Sequence, residues 1–357
     1  MKILYLSSSL GSEDSGGRYL SLKILEVLKS KSEYQIIAVN TDKKESKEAK
    51  YNFINNRGFF SKLLNLFGPL SNGWYFDIVF KVINIIKKEK IQIVWFDSSM
   101  MGIICWLVKI KCPKVKAIVF YHNAEQVYYK EQSRFKKIGY FFYVKAIISE
   151  LLMKKYCDGQ VFLTEKDKNQ CMSHKTENCI VTPIFYGNLS HFIGENILFI
   201  GSPNHFNMEA IDFIVKKIAP FVERKIVIVG ISKENYGSNF IPINIEFCGW
   251  VEDLNKQYDE CSLVIAPVFS GSGIKIKVGE AISKGKRVLA SPHAANGYED
   301  LTKTDALIVC TNASDYINEI NNHNGFSLTI ESHKSNMEIF SADKFMNKIS
   351  SLINKIS

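Results

Sequence analysis

Short unbroken apolar runs alternate along this chain with glycine-punctuated turns and stretches of helical periodicity, and the alternation restarts near the middle. Ile3 to Ser8 is a buried-strand run, followed by Gly11, Gly16 and Gly17 and then a helical stretch, Tyr19 to Leu28, with apolar residues at Leu20, Ile24, Leu25, Val27 and Leu28. Tyr34 to Val39, Ile91 to Phe96 and Ala117 to Tyr121 repeat the strand pattern beside charged helical segments. This is the β-α-β rhythm of a parallel sheet. The pattern breaks at Pro183, Gly187 and Gly194 and begins again: strand Ile197 to Ile200, a Gly201-Ser202-Pro203-Asn204 turn, helix Met208 to Val222, strands Lys225 to Val229 and Ile245 to Cys248, helix Leu254 to Cys261, strand Leu263 to Pro267. At 357 residues the chain exceeds the roughly 250–300 residues at which single cores stop growing. The expectation is therefore an α/β protein with two doubly wound domains, residues 1–185 and 196–340. A linker at 186–195 joins them, and a final helical stretch, 341–357, packs back on the first. Two such domains bring the carboxyl ends of both sheets to a cleft, where open α/β sheets bind ligands.

Composition removes several classes. Hydrophobic residues make up 46% and charged residues 23%, which excludes disorder. The longest nearly unbroken apolar stretch, Met100 to Val108, falls well short of the roughly 20 residues that span a bilayer. The N-terminus enters a strand without a signal-peptide pattern, so a cytosolic chain is expected. The eight cysteines are scattered, with no pairing suited to zinc, and read as reduced thiols. Residues 1–190 carry 29 Lys and Arg against 17 Asp and Glu, whereas the rest carry 16 against 19. Such a basic half either holds a protein near anionic headgroups, steers an anionic substrate, or is a solvated face. Its lysines lack the aromatic interleaving of a nucleic-acid module, and no nucleic-acid partner is expected. Between residues 51 and 90, Phe59-Phe60, Leu63-Leu64, Leu66-Phe67 and Trp74-Tyr75-Phe76 crowd around glycines and a proline, either as buried packing or as a greasy surface for a lipid-linked acceptor.

The densest chemical signal runs from Ala266 to Ala290. A strand feeds the small-residue loop Gly271-Ser272-Gly273, and a helix is expected to start near Ile274, so free amides and the helix dipole favour an anion there. Lys275 and Lys277 add cationic donors suited to phosphate. Glu280, three residues after Lys277, can accept two sugar hydroxyls. Phosphate and sugar contacts together suggest a nucleotide, although a glycine-rich βα turn also arises for backbone reasons alone.

Gly271-Ser272-Gly273-Ile274-Lys275-Ile276-Lys277, Glu280-Ala281, Gly285 and Arg287-Val288 resemble the donor-site segment of family 4 glycosyltransferases of the GT-B fold, in the GSG-x-x-x-K-x-x-EA form. Tyr121-His122-Asn123-Ala124-Glu125 resembles that family's HN-x-E segment. Ile197 to Ser202 with Asn207 to Ala210 resembles the opening of its second domain, and Val251-Glu252-Asp253-Leu254 its V-x-DL turn at the base pocket. Gly16-Gly17-Arg18 stands where the first glycine-rich loop lies. These segments follow the family's order over roughly residues 1–300.

The resemblance implies transfer of a sugar from a nucleotide-sugar donor to a glycan or lipid-linked acceptor hydroxyl, with retention of configuration, in bacterial surface polysaccharide synthesis at the inner face of the membrane. Negative charge grows on the leaving diphosphate, so electrostatic preorganisation carries most of the catalysis. It assigns Lys277, Lys275 and the loop amides to that diphosphate, His122 to the donor sugar near the reacting centre, and Gly201 to the donor site. Glu125 either orients His122 or caps the next helix. Gly16 and Gly17 let backbone approach the diphosphate, with charge from Arg18, or form a tight turn. Val251 lies at the nucleobase, and Asp253 either joins it or caps the helix at Leu254. No cofactor and no metal are expected, since no Asp-x-Asp appears.

Two departures stand out. Ser272 occupies the position of the first Glu in the family's E-x7-E pair, and Asn204, His205 and Asn207 stand where relatives often place an Arg and a Lys. They leave two alternatives: a non-catalytic sugar-nucleotide-binding partner or scaffold in a glycan assembly complex, and a GT-B epimerase.

Overall fold

The computed structural model describes residues 1–11, 16–54, 58, 70, 74–134, 138–171, 178–182, 184–186, 194–237, 240–271, 273–322 and 328–357. The chain forms two compact units, Met1–Thr182 with Phe345–Ser357, and Pro183–Lys344. Most of the expected linker, residues 187–193, lies outside the described residues.

The first unit contains β1 (Lys2–Ser7), α1 (Gly16–Ser30), β2 (Gln35–Asn40), β3 (Tyr51–Asn52), α2 (Phe76–Glu89), β4 (Ile93–Phe96), α3 (Gly102–Lys111), β5 (Lys116–Tyr121), α4 (Glu125–Ser133), α5 (Gly139–Tyr156), β6 (Gly159–Phe162), α6 (Glu165–Cys171) and β7 (Cys179–Val181). Its strands, all parallel, lie in the order β3-β2-β1-β4-β5-β6-β7. The apolar runs form strands because both faces are covered: every residue of β4 is buried, and Trp95 stacks between Tyr5 and Phe120. In the aromatic stretch, Phe59-Phe60, Leu63-Leu64 and Leu66-Phe67 lie outside the described residues. Trp74 is buried in the core, whereas Phe76 faces solvent.

The second unit contains β8 (Asn196–Ile200), α7 (His205–Phe213), β9 (Ile226–Val229), the one-turn helix α8 (Lys233–Tyr236), β10 (Ile245–Gly249), α9 (Leu254–Asp259), β11 (Cys261–Ala266), α10 (Ile276–Ser283), β12 (Arg287–Ala290), β13 (Leu307–Val309), α11 (Ala313–Asn322) and α12 (Ile330–Ile339). Its parallel strands repeat the same winding, β10-β9-β8-β11-β12-β13. The helix expected over 208–222 instead starts at His205, capped by Asn204, and widens into a π-turn at Ile214–Ile218 before a 3-10 turn at Ala219–Phe221. Pro220 explains the break, because its ring cannot sit against the Lys216 carbonyl of a regular helix. The last helix, α13 (Ala342–Ile356), lays its buried Phe345, Ile349, Leu352 and Ile353 on the first unit: Lys348 donates to the Val181 carbonyl and Tyr34 to Ser350.

In each sheet the winding reverses beside the first strand, between β1 and β4 and between β8 and β11. Ligands of open α/β sheets bind at the carboxyl ends of strands at such switch points.

Candidate active site

In the second unit β11 ends at Ala266, and the loop beyond it depends on glycine. Gly271 (φ 97°) and Gly273 (φ 72°) both adopt left-handed backbone conformations that side chains disfavour. Ser272, expected in the donor loop, lies outside the described residues. Ile274 is buried, and α10 begins at Ile276 rather than near Ile274. The later start has a visible cause. Tyr298 donates its hydroxyl to the Lys275 carbonyl at 3.0 Å and Tyr186 to the Ile276 carbonyl at 3.1 Å, while the two hydroxyls lie 3.2 Å apart. The loop-to-helix junction is thus pinned from the protein side. A Cβ on Gly279 would stand 2.6 Å from the Tyr186 hydroxyl.

Lys277 lies in the first turn of α10. Its Nζ donates to Asn207 Oδ1 at 3.0 Å and sits 4.3 Å from the centre of the Phe199 ring. Burial pushes its pKa down to about 7, and Lys275 adds repulsion. Among the described residues no carboxylate pairs with it. Asn207 is held in turn by donating to the Ser202 carbonyl at 2.8 Å, and a Cβ on Gly201 would come within 2.6 Å of the Asn207 side chain. Lys275 Nζ donates to the Gly273 carbonyl at 3.0 Å, which folds it back over the loop. Glu280 accepts from the Tyr258 hydroxyl through Oε2 at 3.1 Å, and burial raises its pKa. Lys277 and Gly201 therefore meet at Asn207, and Gly271 faces the neighbouring Phe206, at the ends of the paired strands β8 and β11, while Glu280 is held by Tyr258 of α9. Val251 is half-buried past β10, and Asp253 caps α9 by accepting the Asn255 amide.

In the first unit His122 follows β5 directly. Its Nε2 lies 3.2 Å from Asp97 Oδ1 and 3.5 Å from Ser21 Oγ, and the ring meets Phe120 edge-on. Asp97 stands just beyond β4 and is buried, accepting from Tyr5 at 2.7 Å and Ser7 at 2.6 Å. A carboxylate only accepts, so Nε2 carries a hydrogen toward Asp97. Nδ1 is buried with no partner among the described residues. The ring is oriented by Asp97, and Glu125 stands in the first turn of α4, where the N-cap residue makes no side-chain capping hydrogen bond. The Glu125 amide donates to Glu150 Oε1 at 2.8 Å. Burial, with the Glu150 charge, pushes the Glu125 carboxyl up to about 8; burial also takes Glu150 to about 7, against the hydrogen bonds it accepts from the Glu125 amide and Ser99.

Gly16 and Gly17 open α1, and a Cβ on Gly17 would meet nothing within 4 Å. Arg18 pairs with Asp42 at 3.5 Å, so its charge is engaged within the first unit. Asn123 is half-buried beside His122.

Sequence reasoning missed Asp97 and Asn207. Asp97 carries a faint signal, a lone acid directly after the apolar run Ile91 to Phe96. Asn207 registers only as the absence of a cation.

Two tandem doubly wound domains, each with polar residues gathered at its switch point, define a two-domain Rossmann-like protein of the GT-B fold. Residues 194–323 match the family described as "Glycosyl transferases group 1". No curated protein matches the chain in sequence. Among solved structures, Alr3699/HepE of Anabaena in complex with UDP and glucose is similar at a TM-score of 0.70 and 13% identity, over 99% of each chain. The lipopolysaccharide outer core galactosyltransferase WaaB aligns at 0.68 and 14% identity, over 98% of this chain and 99% of that one. TarM aligns at 0.70 and 14% identity, over 99% and 98%.

Proposed function

We propose that this protein moves a glycosyl group from a nucleotide-sugar donor to an acceptor hydroxyl, with retention of configuration. One observation carries the reading: Lys277 is a half-buried lysine packed against Phe199 and Asn207, without a carboxylate partner among the described residues, at the start of a helix that follows a glycine loop. A dianionic diphosphate supplies the missing counter-charge. The family match over 194–323 and the UDP held by a protein of the same fold support a nucleoside diphosphate as the ligand.

In this reading the α10 amides, Lys277 and Lys275 neutralise the charge that grows on the leaving diphosphate as the glycosidic C–O bond breaks. The acceptor oxygen bonds to the anomeric carbon on the same face, and its proton passes to the departing phosphate oxygen. No protein nucleophile and no metal are called for. Glu280 receives sugar hydroxyls through the oxygen that Tyr258 does not occupy, and His122 contacts the donor sugar near the reacting centre. The acceptor is a glycan or a lipid-linked glycan, the setting bacterial surface polysaccharide synthesis at the inner membrane face.

A panel of nucleotide sugars assayed for nucleoside diphosphate release tests the reading. A transferase releases diphosphate only when an acceptor is supplied, or slowly by hydrolysis. A scaffold releases none, and an epimerase changes the sugar without releasing it.

A further inference from the structure

We propose that the outer face formed by α2, α3 and α5 is a docking surface for an anionic lipid bilayer. This gives the membrane contact of the preceding reading a location, but it stands on the surface alone, and its test measures no sugar transfer.

The polarity of α5 is inverted. Its buried side holds Gly139, Ala146, Ser149 and Glu150, with Met153 its one large apolar residue, while Phe141, Val144, Ile148 and Leu151 face water. Their spacing of three, four and three residues lines them up as one stripe. A surface helix of a globular protein normally shows the opposite arrangement. Trp106 and Ile110 extend the exposed apolar area onto α3, and Phe76 and Phe80 onto α2. Between the helices runs an apolar groove of about 410 Å³, lined by Phe76, Trp106, Leu107, Ile148 and Leu152 among others. Contiguous exposed apolar area of this kind marks an interaction site.

Charge selects the occupant. α3 carries the exposed Lys111 and no acid; its other lysine, Lys109, is mostly covered and paired with Asp158 at 2.9 Å. α5 carries Lys154 and Lys155 in its last turn, while its Lys145 donates to the Leu70 carbonyl at 2.9 Å and its one acid, Glu150, is buried and accepts from Ser99. α2 adds exposed Lys81, Lys87 and Lys88 against Asp77, 4.0 Å from Lys81, and Glu89, which pairs with Lys50. Apolar side chains rimmed by lysines suit acyl chains beneath anionic headgroups, with the lysine stems lying along the apolar surface. A second copy on the same face would set lysine against lysine. Among the described residues no helix is long and apolar enough to cross a membrane, so the contact is peripheral.

The full chain should co-sediment with vesicles of phosphatidylcholine mixed with phosphatidylglycerol and remain in the supernatant with phosphatidylcholine alone. In Ile148→Glu/Leu151→Glu the bound-to-free ratio should fall at least about tenfold, with the far-ultraviolet circular dichroism spectrum unchanged. If that variant does not fold, Lys111→Gln/Lys155→Gln carries the test through a several-fold loss on mixed vesicles. The proposal is overturned if the parent stays in the supernatant with mixed vesicles, or if the folded variants sediment as the parent does. It is equally overturned if light scattering shows a dimer that the glutamate variant dissolves, since the face then belongs to a second copy.

Discussion

Lys277 reaches across from α10 to donate to Asn207 on α7, 3.0 Å from Nζ to Oδ1, so its nitrogen is positioned by a neutral partner that offsets none of its charge. A bound diphosphate should turn that charge into charge-assisted hydrogen bonds. Lys277→Ala should weaken nucleoside diphosphate binding and lower transfer by at least about tenfold, consistent with the loss of a charged hydrogen bond. Asn207→Ala keeps the charge but loosens its position, and should cost about fivefold, the scale of one neutral hydrogen bond. Calorimetry and a steady-state assay on the same samples check both.

The pH dependence follows from the same lysine. Burial takes Lys277 down to about 7, so above that pH the free protein holds it largely neutral. An anion pulls the pKa back up. Diphosphate binding near pH 8 should therefore take up a proton, and affinity should decline as pH rises through about 7 and beyond. Binding enthalpies measured in buffers of different ionisation heat reveal the uptake; no buffer dependence would deny the shift.

The geometry around His122 separates catalysis from binding. Asp97 holds the ring through Nε2, at 3.2 Å. His122→Ala should lower the transfer rate while leaving nucleoside diphosphate affinity within a few-fold. Asp97→Asn preserves shape but can donate to the ring, so it should lower the rate too. Equal losses of rate and affinity would make the histidine structural.

Gly201 tests the packing behind the lysine. A methyl group there meets Asn207 at 2.6 Å, so Gly201→Ala must displace the side chain that holds Lys277. Its expected cost is about 1–3 kcal/mol of stability, read by urea denaturation, together with weakened diphosphate binding.

Glu125 and Glu150 give the first unit an alkaline liability. Both carboxyls are held above their ordinary range, to about 8 and about 7, chiefly by burial. Between the unfolded and folded pKa values the native state binds more protons than the unfolded chain, so stability is present at low pH and lost as pH rises. The midpoint of thermal unfolding should fall from about pH 5 to about pH 8, and Glu125→Gln should flatten that slope.

Much of this was legible in the sequence, because it is local. Strand runs such as Ile3 to Ser8 and Ile91 to Phe96 are buried on both faces and read as apolar blocks. Gly271, Gly273, Lys277 and Glu280 fall within one βα unit, whose loop and helix start impose their spacing. Asp97 and Asn207 were not legible for the opposite reason. Asp97 meets His122 because β4 pairs with β5, and Asn207 meets Lys277 because β8 pairs with β11. Those adjacencies belong to the sheet order, not to any short window. The inverted α5 was hidden similarly: an all-round apolar helix reads as buried until the neighbouring elements show which side is left uncovered.

The proposed function requires a nucleoside diphosphate at the start of α10, held by Lys277. Isothermal titration of the parent chain and Lys277→Ala with UDP, GDP and ADP tests it most directly. At least one of the three should bind the parent, and bind the variant at least about tenfold more weakly. If none binds, or if the variant takes up the nucleotide as tightly as the parent, the claim is contradicted.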